Sequence, residues 1–559
     1  MEEEVINEIN AMFEFNDVQK EIILKSILTD DLLKESHIDV SNNVYKDTNI
    51  DKWASSLPIL TGSKILIEKF IKHPINDIEI LRSRQNTKIA FDTDIELLKD
   101  YESDVLWIFK IADEIKENSA IEILFPSSFI ISYMNYVEQL LDLYHIYKIY
   151  LIPITTLIYP LSTIFVPYYY LNNYLHMNIS VSVYLGMFWN IIKMMFRTTG
   201  DLRADLMRIT TFFLYIFLYV YNIYQTFEIA LFLYDTKHKL STKMSGLMKF
   251  VKHSQHILKN IEHSIIKPFF NCDDSYKDLY IHNSMTYIYK LWKEDIFKNK
   301  IISLLKSIYA IDVIDSIFKL SFTGEYSYPS FNNDKTIMWN AKNPILTYDQ
   351  IPNPVNLEKN IIITGPNAGG KTTYVKTILA NIILAQTFGM TYSLKSNVVL
   401  YDTINSFMRI SDILGSKSYF EVEAEYCLNM MKKAEEISQE GKRGLFLMDE
   451  PMHSTPPTEG MATAYAVSEY LSNLPGINMI ITTHFHKLII LEELFPDKFV
   501  NLSVDAIPCE KGFYFPYKIQ RGHSFQCIAI ELLDTKEFPK DVIDNAIKMK
   551  NKICCEFNK

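Results

Sequence analysis

Residues 361–373 read Ile361-Ile362-Ile363-Thr364-Gly365-Pro366-Asn367-Ala368-Gly369-Gly370-Lys371-Thr372-Thr373. An apolar run enters a glycine-rich octet of the form GxxxxGK[ST], and Tyr374-Val375-Lys376-Thr377-Ile378-Leu379 follows with helical character. A strand, a loop and a helix in that order are the context this motif requires. Glycines let backbone N–H groups approach phosphate, and the N-terminus of the following helix adds a favourable dipole. The stretch therefore predicts a phosphate cradle from Gly365 through Pro366, Asn367, Ala368, Gly369, Gly370, Lys371 and Thr372 to Thr373. Lys371 is expected to reach the β- and γ-phosphates of ATP, and the Thr372 hydroxyl to ligate Mg²⁺.

Downstream, Leu445-Phe446-Leu447-Met448-Asp449-Glu450 is an apolar strand ending in two carboxylates. Asp449 is placed to hold Mg²⁺, and Glu450 to orient and deprotonate an attacking water. A third strand, Ile477 to Thr483, runs into His484. A histidine at the carboxyl end of a sheet strand lies where open α/β folds bind ligands, so His484 is a candidate to sense or polarise the γ-phosphate. Short apolar runs alternating with helical stretches from about residue 331 onward predict a mainly parallel sheet flanked by helices. The fold class is α/β, a P-loop NTPase domain at the C-terminus joined to an all-α region.

Four regions follow. Residues 1–125 read as polar helix, with Leu57, Leu60, Ile65, Leu66, Phe70 and Ile71 at helical spacing. Residues 126–235 are hydrophobic. From Ile149 to Ile192 there are 44 consecutive residues without Asp, Glu, Lys or Arg, and Ile209 to Phe227 adds 19 more. A membrane-crossing helix takes about 20 apolar residues. Residues 149–234 are thus either membrane segments or the buried core of a soluble domain. Pro153, Pro160 and Pro167, expected to break a straight helix, and Asn172, Asn173 and Asn178 speak for the second reading. Residues 236–330 return to polar helix and carry Lys237, Lys239, Lys243, Lys249, Lys252, Lys259 and Lys267. Such a patch suits DNA phosphates, anionic lipid or a solvated helix face, and the sequence leaves all three open. Residues 331–559 hold the nucleotide motifs.

The chain has 559 residues, 48% apolar and 22% charged, with a net charge of −11. Wholesale disorder is excluded, and any nucleic-acid contact must be local. The six cysteines show no metal-like spacing, which fits thiols in a reducing compartment. Met1-Glu2-Glu3-Glu4 is acidic where a secretory leader is basic, so an intracellular protein is expected, membrane-associated if the apolar runs insert.

The order of motifs resembles the MutS family. Beyond the three segments above, Ser406-Phe407-Met408-Arg409-Ile410-Ser411-Asp412 is similar, and Ser418-Tyr419-Phe420-Glu421-Val422-Glu423 resembles the family's S-x-F-x-x-E signature. The resemblance implies that Ser418 contacts the γ-phosphate held by a partner subunit, and that the ATPase domain makes a homo- or heterodimer. Asn340-Ala341-Lys342-Asn343-Pro344 is similar to the family's His-Pro segment, with Asn343 in place of His. Leu57 to Ile78 and Arg82-Ser83-Arg84-Gln85 look like the start of the helical core, and Ala310 to Ile314 like its end. Phe538 to Ile543 resembles the helix–turn–helix that braces the dimer. The sequence departs from the pattern at Ala368, in place of a common Met, and in Pro451-Met452-His453-Ser454-Thr455-Pro456-Pro457, where a Gly- and Arg-containing turn is usual. Too few residues precede position 50 for a mismatch-reading domain, and residues 126–235 stand where DNA-embracing arms are expected. The resemblance implies ATP hydrolysis, DNA binding and a role in mismatch repair or recombination. The hydrophobic stretch supports an alternative, a membrane-anchored ATPase with a non-repair role. A transporter-type ATPase is disfavoured, because no LSGGQ-like segment precedes Asp449.

Overall fold

The ion-free stretch beginning at Ile149 forms helices, and most of their apolar side chains lie in the open. The computed structural model describes residues 15–34, 37–87, 94–114, 124–198, 200–259, 261–332, 334–348, 350–408, 419–509 and 512–557, apart from 525, 527, 529, 532, 534, 535 and 537. The chain divides into two units. One comprises Met1–Ile23, Leu97–Gln255 and Asp274–Leu304, and the other Leu24–Glu96, His256–Asp273 and Leu305–Lys559.

The first unit is helical. Helix α1 (Ile152–Asn173) continues a single π-type turn at Tyr147–Leu151. Helix α2 is Val181–Met195, and α3 runs for 58 residues over Leu202–Lys259. Pro160 and Pro167 sit inside α1, so the breaks expected from them do not occur. The buried-core reading of this stretch also fails, because only 11% of the most apolar window of Glu138–Asn173 is buried, and none of that of Leu202–Lys259. Burial resumes on α3 at Ala230 and Leu233 and continues through Leu240, Met244, Leu247, Phe250 and Val251, at helical spacing. Gly246 is required there. A Cβ at that position would lie 2.0 Å from Asp104 Oδ2.

Three of the clustered lysines have carboxylate partners inside this unit. Lys237 pairs with Asp142 at 2.9 Å, Lys239 with Asp235 at 2.6 Å and Lys243 with Asp104 at 2.5 Å. These charges are partly neutralised, which weakens the basic patch as a phosphate-binding stripe.

The second unit carries the sheet. Its strands in chain order are β1 (Asp39–Val40), β2 (Asn360–Thr364), β3 (Thr403–Phe407), β4 (Gly444–Asp449), β5 (Ile477–Thr482), β6 (Phe499–Ser503) and β7 (Gln520–Arg521). They lie side by side as β1-β3-β4-β5-β2-β6-β7, parallel except for the edge strand β7. Strand β2 is buried at all five positions, the continuous apolar run expected of a strand covered on both faces. Helices α4 (Lys371–Thr387), α5 (Tyr419–Gln439) and α6 (Pro457–Ser472) follow β2, β3 and β4. Phe407, Met430, Ala434, Phe446, Met479 and Phe499 belong to one buried cluster on this sheet. A second, four-stranded sheet is built from Ser330–Phe331, Lys395–Val398, Ile337–Ala341 and Asn353–Asn356.

A helical layer in the same unit holds α4 from behind. The buried Arg84 guanidinium donates to the carbonyls of Pro268, at 2.9 Å, and Thr387, at 2.5 Å, while lying over Phe70 and Phe269. Thr387 ends α4, where a cation complements the helix dipole. Asp312, fully buried, accepts from Ile59 N and Leu60 N at 3.1 and 2.8 Å and so fixes the entry to the helix Thr61–Ile71.

Candidate functional site

The parallel strands β2, β4 and β5 end together, and the loops leaving them carry the residues singled out from sequence. In register, Asp449 stands beside Thr482, and Ile363 beside Thr482 on the other side. The loop after β2 turns back on itself through two glycines in conformations that other residues rarely adopt. Gly365 has φ +140°, and a Cβ there would lie 2.3 Å from the Val504 carbonyl oxygen. Gly370 has φ +96° and caps α4. Ala368 takes φ +67° without being glycine, a strained choice on the loop itself.

Lys371 is 5% exposed, and its ammonium donates to the carbonyls of Gly365 at 2.9 Å and Pro366 at 3.3 Å. It lies 3.4 Å from His484 Nε2 and 3.9 Å from Glu450 Oε1. The Thr372 hydroxyl donates to Asp449 Oδ2 at 3.0 Å, and the Thr482 hydroxyl donates to Asp449 Oδ1. His484 Nε2 sits 2.8 Å from Asn367 Oδ1 and 2.6 Å from Glu450 Oε1, which suits the tautomer with its hydrogen on Nε2. Lys371, Thr372, Asp449, Glu450, His484 and Asn367 thus meet at one mouth. Glu450 has φ +52° and its N–H donates to the Thr482 carbonyl at 3.0 Å. Backbone strain at such a position marks a geometry that its surroundings enforce.

Ser418 lies outside the described residues, as do Arg409 to Ser411 and Asp412 of the neighbouring motif. Among the described residues no cluster of three or more His, Cys, Asp or Glu side chains is arranged to hold a metal ion. A hydroxyl and one carboxylate, Thr372 with Asp449, suit Mg²⁺, which takes few protein ligands and completes its shell with water and substrate phosphate.

Around this mouth lies a cavity of about 520 Å³ lined by Asn343, Tyr348, Asn353, Lys371, Glu450 and Tyr517 among others. Its volume is in the range of small-ligand sites. Asn353 braces the wall, donating to the Tyr517 carbonyl at 2.9 Å and accepting from Ile519 N at 2.8 Å. Asn343, noted for standing where His is usual, accepts from Ile345 N at 3.0 Å, and its own N–H donates to Gln350 Oε1 at 2.7 Å. Tyr348 and Tyr517 escaped sequence reading, because isolated tyrosines far from any motif carry no local signal.

Two further contacts support the strand ends. Glu423 is 4% exposed, and its Oε2 accepts from Ser454 N at 3.2 Å and from the Ser454 hydroxyl. It ties α5 to the turn that follows Glu450. The two prolines of that turn open α6, with Pro457 at its first position, where a missing N–H costs no helical bond. On the other side Asp47, on the helix Asn42–Thr48 next to β1, accepts from the Ser406 hydroxyl at 2.7 Å. Burial pushes the Asp47 carboxyl above its ordinary value against the opposing pull of the Ser406 hydroxyl and Lys376, while the Asp449 charge raises it further.

Comparison with known proteins agrees with this arrangement. Residues 361–554 match the model of MutS domain V. The chain is 30% identical over 254 residues to the DNA mismatch repair protein MutS of Pseudothermotoga lettingae, 44% of this chain and 30% of that protein. It is 28% identical over 256 residues to the protein of the same name from Streptococcus mutans, covering 44% of this chain and 29% of that one. For the Geobacillus protein of that name the identity is 30% over 258 residues, again 44% of this chain and 29% of the other. The matched region spans less than a third of the length of these relatives. The shared part is the domain that carries the mouth described above, and over that domain the chain is similar to the MutS family.

Proposed function

We propose that the C-terminal domain binds and hydrolyses ATP with Mg²⁺, and that two copies, or one copy and a related partner, close over the nucleotides. The observation that carries this reading is the meeting of Lys371, Thr372, Asp449, Glu450 and His484 at the mouth of the Gly365–Gly370 loop. Lys371 and the loop amides bind the triphosphate. Asp449 and Thr372 would hold Mg²⁺, which would supply neutralisation of charge on the phosphates. Glu450 orients a water and accepts its proton, and His484, held between Asn367 and Glu450, donates from Nε2 toward the terminal phosphate. Ser418, by family resemblance, reaches the partner's nucleotide.

The DNA substrate is carried over from the relatives, each named a DNA mismatch repair protein. A role in repair or recombination is the first reading. Glu450→Gln should cut turnover by about 10²-fold or more while nucleotide binding remains, and Lys371→Ala should abolish binding. ATP turnover and equilibrium binding of a fluorescent ATP analogue are the measurements, with and without duplex DNA. Normal turnover in Glu450→Gln would remove the assigned role.

A second reading, a membrane-anchored ATPase with a non-repair function, is favoured by one specific observation. The apolar side chains of α1, α2 and the first half of α3 face outward along their length, among them Leu157, Phe165, Trp189, Phe213 and Phe217. An exposed apolar surface of this extent marks a contact with lipid or protein.

A further inference from the structure

Resting on that second reading, we propose that α1 and the first half of α3 cross a lipid bilayer twice as an antiparallel hairpin, with both ends on one face and α2 held within the apolar layer. Length is the first argument. The 22 residues of α1 span about 33 Å at 1.5 Å each, and the 19 ion-free residues 209–227 of α3 about 28 Å, against a hydrocarbon thickness of about 30 Å. The 15 residues of α2 reach only about 22 Å and fall short of a crossing.

Direction is the second. The Tyr219 hydroxyl donates to the Thr156 carbonyl at 3.0 Å, while Lys237 pairs with Asp142 at 2.9 Å. Moving up α3 means moving down the chain that enters α1, so the two helices are antiparallel. Asp142, Lys148, Glu228, Asp235 and Lys237 gather at one end, and Lys193, Arg197, Arg203, Asp205 and Arg208 at the other, with none on α1 or on 209–227 between. Arg208 closes the far end by donating to the Arg197 carbonyl at 2.9 Å. Exposed tyrosines stand near both ends, Tyr147, Tyr150 and Tyr224 at the first, Tyr169, Tyr170 and Tyr174 at the second, where interfacial belts lie, with Tyr159 and Tyr215 exposed between them.

Third, the polar groups of these helices are satisfied internally. Pro160 has no N–H, so the Thr156 carbonyl four residues earlier loses its helical donor. The Tyr219 hydroxyl supplies a replacement. Pro167 does the same to Thr163, and the Tyr184 hydroxyl of α2 donates at 2.9 Å to the adjoining Ile164 carbonyl. Thr155, Thr156, Ser162 and Thr163 on α1, and Thr210, Thr211 and Thr226 on α3, all turn their hydroxyls onto carbonyls three or four residues back. The same back-bonding occurs at water-facing positions such as Ser55, Ser56 and Thr242, but in hydrocarbon it becomes obligatory.

The test is cell-free synthesis of the full chain beside preformed vesicles of phosphatidylcholine and phosphatidylglycerol. Cysteine is placed at the tip (Ser180→Cys) or near the base (Thr242→Cys). None of the native cysteines lies within 138–242. The chain is expected to float with the vesicles and resist carbonate. A membrane-impermeant maleimide, read by peptide mass, should label Thr242→Cys on intact vesicles and Ser180→Cys only after detergent. Equal labelling of Ser180→Cys with and without detergent overturns the crossing, as does a soluble oligomer that does not float. The pair Leu157→Arg and Leu214→Arg should lower the floated fraction by about tenfold or more and leave ATP-analogue binding unchanged. Undiminished flotation of that variant overturns the proposal. Analogue binding by the parent chain is scored separately, so an inactive nucleotide site with intact flotation sinks the ATPase reading alone.

Discussion

Cutting the contact between Glu423 and Ser454 should slow the chemistry of a site that neither residue touches directly. The Glu423 carboxylate accepts two hydrogen bonds from Ser454, one from its N–H at 3.2 Å and one from its hydroxyl. Bonds to a charged group contribute about 1.5–3 kcal/mol each. Ser454 itself is exposed, so water replaces much of what is lost when the carboxylate goes. Glu423→Ala should therefore weaken the closed turn by a net amount on the order of 1–3 kcal/mol. Because Glu450 begins that turn in a strained left-handed conformation, the loss falls on the population of its productive orientation. At about 1.4 kcal/mol per factor of ten, kcat should drop by about 5- to 150-fold with KM for ATP nearly unchanged. Glu423→Gln keeps an acceptor oxygen and should lie between parent and Glu423→Ala. The assay is steady-state ATP turnover for Glu423→Ala, Ser454→Ala and the double variant. A double variant no slower than the worse single one is expected, since the two residues share one interaction. Strictly additive losses would refute the reasoning, and so would turnover in Glu423→Ala within twofold of the parent.

Gly365→Ala should lose nucleotide binding, because its φ of +140° and the Val504 carbonyl 2.3 Å from the new Cβ force the loop open; calorimetric titration with an ATP analogue checks it. Asp312→Ala leaves Ile59 N and Leu60 N without their buried acceptor and should lower stability by about 2–4 kcal/mol in urea unfolding. Burial raises the Asp312 carboxyl above its ordinary value, so the folded state holds that proton more tightly than the unfolded chain. Its contribution is most favourable in acid and declines as pH rises from the unfolded value, about 4, toward the raised folded one. Asp312→Asn should remove that slope, which unfolding curves across the same range would detect.

Much of the site was legible because its motifs are local. Glycines, a lysine and a threonine at fixed spacing announce the loop after β2, and apolar runs that end in Asp449-Glu450 and in His484 announce β4 and β5. What stayed hidden depends on distance. A two-residue strand such as β1 has no periodicity, so nothing marked Asp39–Val40 as part of the sheet or Asp47 as the partner of Ser406. The cavity wall needs residues 343–353 and 517–519 together, joined by Asn353, and no local pattern connects them. The prolines of α1 were misjudged for the converse reason. Local propensity predicts breaks, but tyrosines from other helices satisfy carbonyls beside them, and the helix runs through.

The edge strand β1 also imposes a schedule on the newborn chain. Asp39 pairs with Thr403, roughly 360 residues later, so at about 5–20 residues per second the ribosome needs about 20–70 s to supply the partner. During that interval the first strand has nothing to pair with. Once β3 has emerged, its free edge is covered only by a segment made long before. That long-range pairing is nonetheless the first the sheet can form, because β4, β5, β6 and β7 all emerge after Thr403 and β2 must wait for β5, and closing so long a loop is slow.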